Sequence, residues 1–361
     1  GRQSEGAAQI PGLPQSRPHV VGQAECRPLG QRLSHGVFLT PWQGLGYGFL
    51  GIIGQDGGSL GRKRHGPRQL MKSPLSKLGL GSGQFGLDQP ATARGRPREA
   101  ETHDILAIAA RSGLQVFEAS RHSESAEIAL GRVMPKPNPF RITITTVRPD
   151  RGPDYAEAEV RAQLQRLGVA SCDTILAPSA TDLLSPAGPK LWDRLRALRD
   201  QGLCKKIGVS VYASDDPVGL SKRFKPDVVQ APASLLDQRL LIDGTLATLC
   251  EMDIEVQLRS IFLNGLLFLP PDRAPSHLKA AASRISRARR LIAEGRSDPL
   301  QAALGFALSR PEASSVLVGV ASVAEMSAVV AAASSPPPDL DWDEMAIDDP
   351  AALDPTAWQA A

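Results

Sequence analysis

From Leu78 to Val320, short apolar runs alternate with longer stretches whose apolar residues recur at i, i+3 and i+4. The runs LGLGSGQF (78–85), LQVF (114–117), FRITITT (140–146), DTILA (173–177), KIGVSV (206–211), DVVQA (227–231), EVQLRS (255–260) and SVLVGV (315–320) predict eight strands. Between them PREAETHDILAIAARSG (97–113), AEIALGRV (126–133), YAEAEVRAQLQRLG (155–168), LWDRLRALRDQG (191–202), DPVGLSKRF (216–224), LIDGTLATLCEM (241–252) and HLKAAASRISRARRLIAEG (277–295) predict amphipathic helices. Several of these close on Gly, the residue that ends a helix most cheaply in the left-handed region. Eight strands alternating with helices predict an α/β fold, a (β/α)8 TIM barrel, rather than a doubly wound sheet. No GxGxxG with a following ribose-binding acid supports a Rossmann domain.

The two ends break this rhythm. Residues 1–70 hold 15 of the 33 glycines and the basic run GRKRH (61–65), with no sustained period. They predict a disordered leader outside the fold, with regular patterning starting at Met71 as the expected true start. GRKRH reads as part of a solvated tail rather than a nucleic-acid patch. After Arg310 there is no Lys or Arg but there are nine acids. Residues 336–361 therefore predict an acidic, proline-punctuated arm, anchored through Trp342 and Trp358 to a barrel spanning 71–335.

A 42% apolar content fills a large core, and a net charge of +3 argues neither for nor against nucleic acid. No apolar run is long enough to span a bilayer, and the cysteine pattern is the one a cytoplasmic protein would show. The four cysteines, Cys26, Cys172, Cys204 and Cys250, are scattered as reduced thiols would be. Six histidines with no i, i+4 pair argue against a metal site.

In a βα barrel the site is built at the C-terminal ends of the strands. Those positions are Gln84 and Phe85, Glu118, Thr145 and Thr146, Ala177 and Pro178, Ser210, Gln230, Arg259 with Ser260, and Gly319. They supply amides, hydroxyls and backbone groups, with few strong acids or bases. The stretch EASRHSESAE (118–127) puts Glu118, Ser120, Arg121, His122, Ser123 and Glu124 at one such junction.

The segment from Leu78 to Trp358 resembles the aldo-keto reductases, (β/α)8 enzymes that bind a nicotinamide cofactor. Their second-strand motif D-T-A-x-x-Y-G-x-S-E-x-x-L-G aligns without a gap to EASRHSESAEIALG, keeping Glu127, Leu130 and Gly131. On this resemblance the catalytic Asp falls on Glu118 and the proton-donating Tyr on Ser123. The Lys falls on Thr145 or Thr146, and the His on Pro178. Reduction of a carbonyl needs an acid for the developing alkoxide, and a serine without a neighbouring lysine does not supply one at useful rates. His122, one position before the Tyr site, is the candidate substitute.

The same resemblance implies that the cofactor frame persists. Ser210 and Gln230 match the residues that hold the carboxamide. Arg259 and Ser260 stand where the nicotinamide and pyrophosphate are bracketed. Gly319 and Ser322 match the adenine-side motif, while the adenine-contacting pair maps to Ala328 and Val329. Glu325 stands near the usual clamp for a 2′-phosphate, which implies NAD(H) over NADP(H).

Within the family, the degraded set, the acidic arm and the terminal Ala360–Ala361 resemble an alphaproteobacterial NADH-binding regulator of cell division. That implies the tubulin-like FtsZ ring and a cell-cycle histidine kinase as partners, recruitment to the division site, and a ClpXP-type protease acting at the C-terminus. Independently, the arginines of SRISRARRLIAEGR (283–296) form a cationic face, which reads first as a solvated outer barrel helix and second as a surface for an acidic partner. Two alternatives stay open: an active reductase using His122 or Glu118 as its acid, and a scaffold that binds no nucleotide.

Overall fold

Residues 74–85, 97–268 and 279–353 are described by the structure, a computed structural model. The leader with GRKRH and Met71, and the terminal Trp358 and Ala360–Ala361, lie outside the described residues.

Eight parallel strands close into a barrel in sequence order. They are β1 (Leu78–Gly81), β2 (Val116–Ala119), β3 (Arg141–Thr145), β4 (Cys172–Ala177), β5 (Cys204–Ser210), β6 (Val228–Pro232), β7 (Glu255–Arg259) and β8 (Ala313–Gly319). The outer layer contains α1 (Glu99–Arg111), α2 (Glu124–Val133), α3 (Pro153–Leu167), α4 (Ala180–Leu184), α5 (Gly188–Asp200) and α6 (Pro217–Phe224). It continues with α7 (Arg239–Ile242), α8 (Thr245–Glu251), α9 (Lys279–Glu294), α10 (Pro299–Ser309), α11 (Val323–Ser334) and α12 (Pro350–Leu353).

Strand alternation explains where the core sits. In β3, Ile142 and Ile144 are buried apolar residues, while Thr143 between them meets Gln257 across the barrel, where Gln257 Nε2 lies 3.5 Å from Thr143 Oγ1. Thr143, Thr174, Gln257 and Ser315 are all buried. Much of the large apolar burial is instead contributed by side chains such as Phe117, Phe140 and Trp192. Gly208 on β5 lets its paired strand lie close: a Cβ there would sit 2.3 Å from the Val228 carbonyl oxygen on β6.

Three expectations need correction. The helix expected over 241–252 is two, because Gly244 takes φ 77° and Asp243 Oδ1 accepts from the Thr245 N–H at 2.9 Å, starting α8 afresh. Strand β1 ends at Gly81, so Ser82 stands at the strand end in place of Gln84 and Phe85. The chain turns there, with the Phe85 N–H donating to the Ser82 carbonyl at 2.8 Å. Helix α10 is an addition. Its sequence PLQAALGFALS has little polar face to reveal a period, because it is buried between neighbours. Only its cap was legible: Asp298 accepts from the Leu300 and Gln301 N–H groups, with Pro299 next.

The acidic arm folds back on the barrel. Pro337 and Pro338 cross α10 at Gly305, where a Cβ would meet Pro338 Cδ at 2.8 Å. Trp342 packs edge-on against Phe306 with centroids 5.7 Å apart, and its carbonyl accepts from Gln238 Nε2 at 2.6 Å. Met345 and Ile347 are buried beyond it. Glu344 pairs with Arg287 at 2.7 Å and Asp348 pairs with Arg284. Part of the cationic α9 face therefore meets the chain's own acids.

Candidate functional site

Sequence alternation along β2 turns Glu118 toward the C-terminal mouth of the barrel, in register with Gly81 on β1 and Thr143 on β3. Its Oε2 accepts from Ser120 Oγ at 2.7 Å. Glu118 keeps part of its surface open, yet the protein packed around its carboxyl pushes it above the usual carboxylate range. The Ser120 hydrogen bond and the Arg259 guanidinium oppose that shift.

Glu118, Thr145, Thr146 and Pro178 line one cavity of about 450 Å³. Ser120, Arg121, Val147 and Arg148 complete its wall. Three of the four expected catalytic positions therefore meet at one place. No Lys, Tyr or His lines it. Thr146 Oγ1 is buried there with no hydrogen-bond partner.

The fourth position, Ser123, plays a different part. It is the N-cap of α2, its Oγ accepting from the Ala126 N–H at 3.4 Å and lying 3.2 Å from Ser125 Oγ. The structure also explains the retained half of the motif. Glu127, 1% exposed at its side chain, holds Arg166 of α3 at 2.6 Å. A Cβ on Gly131 would sit 2.1 Å from the Arg166 carbonyl oxygen, so α2 and α3 touch backbone to backbone there. The residues kept are those that pack.

His122 does not pair with Glu118. Its Nε2 lies 2.9 Å from the Ser82 carbonyl oxygen, to which it donates, and 3.2 Å from Ser82 Oγ. Ser82 Oγ also accepts from the Ser120 N–H at 2.9 Å. Ser82 thus ties the end of β1 to the loop after β2. Sequence reasoning missed it because the strand was drawn too long.

The opposite side of the mouth carries the expected cofactor frame. Ser210 on β5 and Gln230 on β6 are in register, and Ser210 Oγ donates to Gln230 Oε1 at 3.2 Å. Gln230 Nε2 is buried with no partner. Arg259 ends β7, donates to the Val211 carbonyl at 2.8 Å and to Ser260 Oγ at 3.2 Å, and lies 4.6 Å from the Tyr212 ring centre. Burial pushes its guanidinium below the usual arginine range, opposed by Tyr212, Glu118 and Asp215. Ser260 adopts φ 60°. Tyr212, absent from the sequence reading, follows the GVS run by two residues.

Gly319 ends β8 beside Gln84. Ser322 and Glu325 form a reciprocal cap on α11: Ser322 Oγ accepts from the Glu325 N–H at 3.2 Å, and Glu325 Oε2 accepts from the Ala321 N–H at 2.8 Å. The S-x-x-E spacing is the signal that would have found this box. Val329 is buried in α11, whereas Ala328 is exposed.

A closed barrel of eight parallel strands with helices outside defines a (β/α)8 protein. The aldo/keto reductase family model matches residues 77–347, and the chain belongs to that family. Members of this family generally bind nicotinamide cofactors. Among solved structures, the holo form of aldo-keto reductase AKR11C1 from Bacillus halodurans is similar at 18% identity. The match covers 74% of this chain and 89% of that one, with a TM-score of 0.62. Glycerol dehydrogenase AKR11B4 from Gluconobacter oxydans is similar at 16% identity, covering 74% and 88%, with a TM-score of 0.57. At these identities the likeness is one of fold. No curated protein matches the chain.

A nicotinamide cofactor fits the residues present. The orphaned Gln230 Nε2 is a buried donor suited to a carboxamide oxygen, and the Ser210 hydroxyl beside it is suited to the same group. Among the described residues, no helix is long and apolar enough to cross a membrane, and no group of three or more His, Cys, Asp or Glu could hold a metal ion. Cys172 and Cys204 are free, buried thiols.

Proposed function

We propose that this chain is an NAD(H)-binding aldo-keto reductase homologue without the family's acid catalyst, acting as a regulator rather than a reductase. The observation that carries the reading is the composition of the cavity wall. Glu118, Thr145, Thr146 and Pro178 stand there with no phenol, ammonium or imidazole to protonate an alkoxide. Across the mouth, the unpartnered Gln230 Nε2 supports retained nucleotide binding. When bound, the nucleotide would carry a hydride. Ser210 and Gln230 would orient its carboxamide, and Arg259 with Ser260 would bracket the ring and the phosphates.

NAD(H) is the preferred form. Glu325 puts a carboxylate on the first turn of α11, where a 2′-phosphate would need a cation. The regulatory role rests on resemblance to KidO, the alphaproteobacterial cell-division regulator. FtsZ and a cell-cycle histidine kinase are its proposed partners, with cytoplasmic residence, recruitment to the division site, and turnover by a ClpXP-type protease at Ala360–Ala361. The test has two parts. NADH should quench protein fluorescence saturably while generic aldehydes are not reduced, and the NADH-bound protein should change the sedimentation of GTP-assembled FtsZ. Reduction at ordinary family rates would remove the reading.

One observation favours a second reading. Burial raises the Glu118 carboxyl, and Glu118 lines the cavity, so it is the better-placed substitute acid of the two candidates. His122 is committed to the Ser82 carbonyl. An aldehyde reductase activity abolished by Glu118→Gln would favour this version.

A further inference from the structure

The cavity at the β2–β4 side of the mouth is lined by two arginines and three hydroxyls around a single carboxyl. Neither arginine is saturated by the acid it meets. Arg121 gives Nη2 to Glu159 at 3.2 Å, and its Nη1 is buried with no hydrogen-bond partner. Arg148 is 78% exposed at its side chain and reaches Asp182 only at 3.9 Å. Val147 and Pro178 supply an apolar wall between them. A cavity of about 450 Å³ falls in the range of ordinary small-molecule sites.

We propose that this cavity binds a small organic carboxylate with an apolar body, its charge held by Arg121 and Arg148 and its body laid against Val147 and Pro178. Arginine suits the task because its planar fork matches a carboxylate in two parallel hydrogen bonds. The inference rests on the reading above in one respect: a cavity relieved of its catalytic groups is free to hold a ligand that undergoes no reaction. It does not require nucleotide.

Glu118 makes the binding proton-linked. A ligand carboxylate brought beside it is a like charge, so the anion binds best when Glu118 carries its proton. The charged groups that bear on Glu118 and this cavity are Arg259 from β7, Arg121 from the loop after β2 and Arg148 from the segment after β3. Glu159 on α3 and Asp182 on α4 partly offset those last two arginines. Arg259 is itself shared with Tyr212 and Asp215. Glu118 already sits above the ordinary carboxylate range, so proton uptake on anion binding needs only a further rise in the same direction.

The test uses the full chain, titrated by calorimetry with hexanoate and with its neutral amide, hexanamide, at pH 6 and pH 8. Hexanoate is expected to bind at pH 6 at least tenfold more tightly than hexanamide, to weaken at pH 8, and to take up protons. Arg148→Gln should lower hexanoate affinity about tenfold with an unchanged melting temperature in the absence of ligand. Glu118→Gln should keep hexanoate binding and lose its dependence on pH. Equal binding of acid and amide, or an Arg148→Gln protein that binds hexanoate as before, would overturn the proposal. Complete displacement of hexanoate by NADH would also overturn it, by assigning the cavity to the nucleotide. Hexanoate binding in a protein that fails to bind NADH would leave the carboxylate site standing and remove the nucleotide reading instead.

Discussion

Ser322 and Glu325 close on each other across the first turn of α11, the hydroxyl taking the Glu325 N–H and the carboxylate taking the N–H of Ala321. A helix N-terminus is a natural anion site because its first N–H groups lack intrahelical partners. Here the chain supplies that anion itself. NADPH should therefore bind more weakly than NADH, since its extra phosphate would face a carboxylate already seated. Glu325→Arg is expected to narrow or reverse the ratio of dissociation constants measured by fluorescence titration. The same change removes half of the capping box and should cost about 1 kcal/mol in urea unfolding. An unchanged ratio would mean that the 2′-phosphate lies elsewhere.

Gln230 offers a direct handle on the nucleotide. Its Nε2 is a buried donor without an acceptor, a state that costs roughly 1–3 kcal/mol until a ligand fills it. NADH at a hundred times its dissociation constant should stabilise the fold by about 2.7 kcal/mol, read as a rise of several degrees in melting temperature. Gln230→Met, similar in volume and without the amide, should melt no lower than the parent in buffer yet lose at least tenfold in NADH affinity. A Gln230→Met protein that binds NADH as before would remove the carboxamide role.

Much of this was legible in the sequence because strand and helix periods differ and the barrel obeys both. Ile142 and Ile144 against Thr143 is a period of two, and β3 follows it over Arg141–Thr145. The signal failed where burial surrounds an element, as in α10, because a helix covered on most sides shows no stripe. It failed also at Ser82, since LGLGSGQF continues to look like a strand after the chain has turned. The motif EASRHSESAEIALG mixed two kinds of information. Glu127 and Gly131 are fixed by packing against α3 and Ser123 by capping α2, whereas Glu118 lines the cavity, and only the structure separates the two.

Glu118 gives a stability that depends on pH with a definite sign. Its folded carboxyl is raised above its unfolded value, so its contribution is fully present below the unfolded pKa and is lost as pH rises through the folded one. Glu118→Gln keeps a side chain able to accept from Ser120 and carries no charge to desolvate. The variant should therefore melt higher than the parent at pH 8, with the difference shrinking toward pH 4. A difference that is constant with pH, or of opposite sign, would show that the carboxyl is not raised in the folded protein.

Restoring one member of the lost set should not restore reduction. Ser123 stands at the start of α2 as its N-cap, and no lysine lines the neighbouring cavity. Ser123→Tyr would remove the cap, costing about 1 kcal/mol, and would add a phenol with no ammonium lining the neighbouring cavity to lower its pKa. Turnover of a generic aldehyde, followed by NADH absorbance, should stay at background in the parent and in this variant alike. Turnover in Ser123→Tyr alone would show that another group serves as the cation.

Gly131 and Trp342 test the two packing relationships that hold the frame closed. Gly131→Ala drives a methyl into the Arg166 carbonyl and should cost roughly 1–3 kcal/mol by forcing α2 away from α3. Trp342→Ala removes the ring that covers Phe306 and loosens the segment whose carbonyl engages Gln238, at a cost of about 2 kcal/mol. By contrast, Arg287→Gln breaks only an exposed pair with Glu344 and should stay within about 0.5 kcal/mol of the parent. If the apolar contact anchors the arm, urea unfolding will order these as Trp342→Ala well below Arg287→Gln. An Arg287→Gln protein as destabilised as Trp342→Ala would mean that charge on α9, and not the Trp342–Phe306 contact, holds the arm to the barrel.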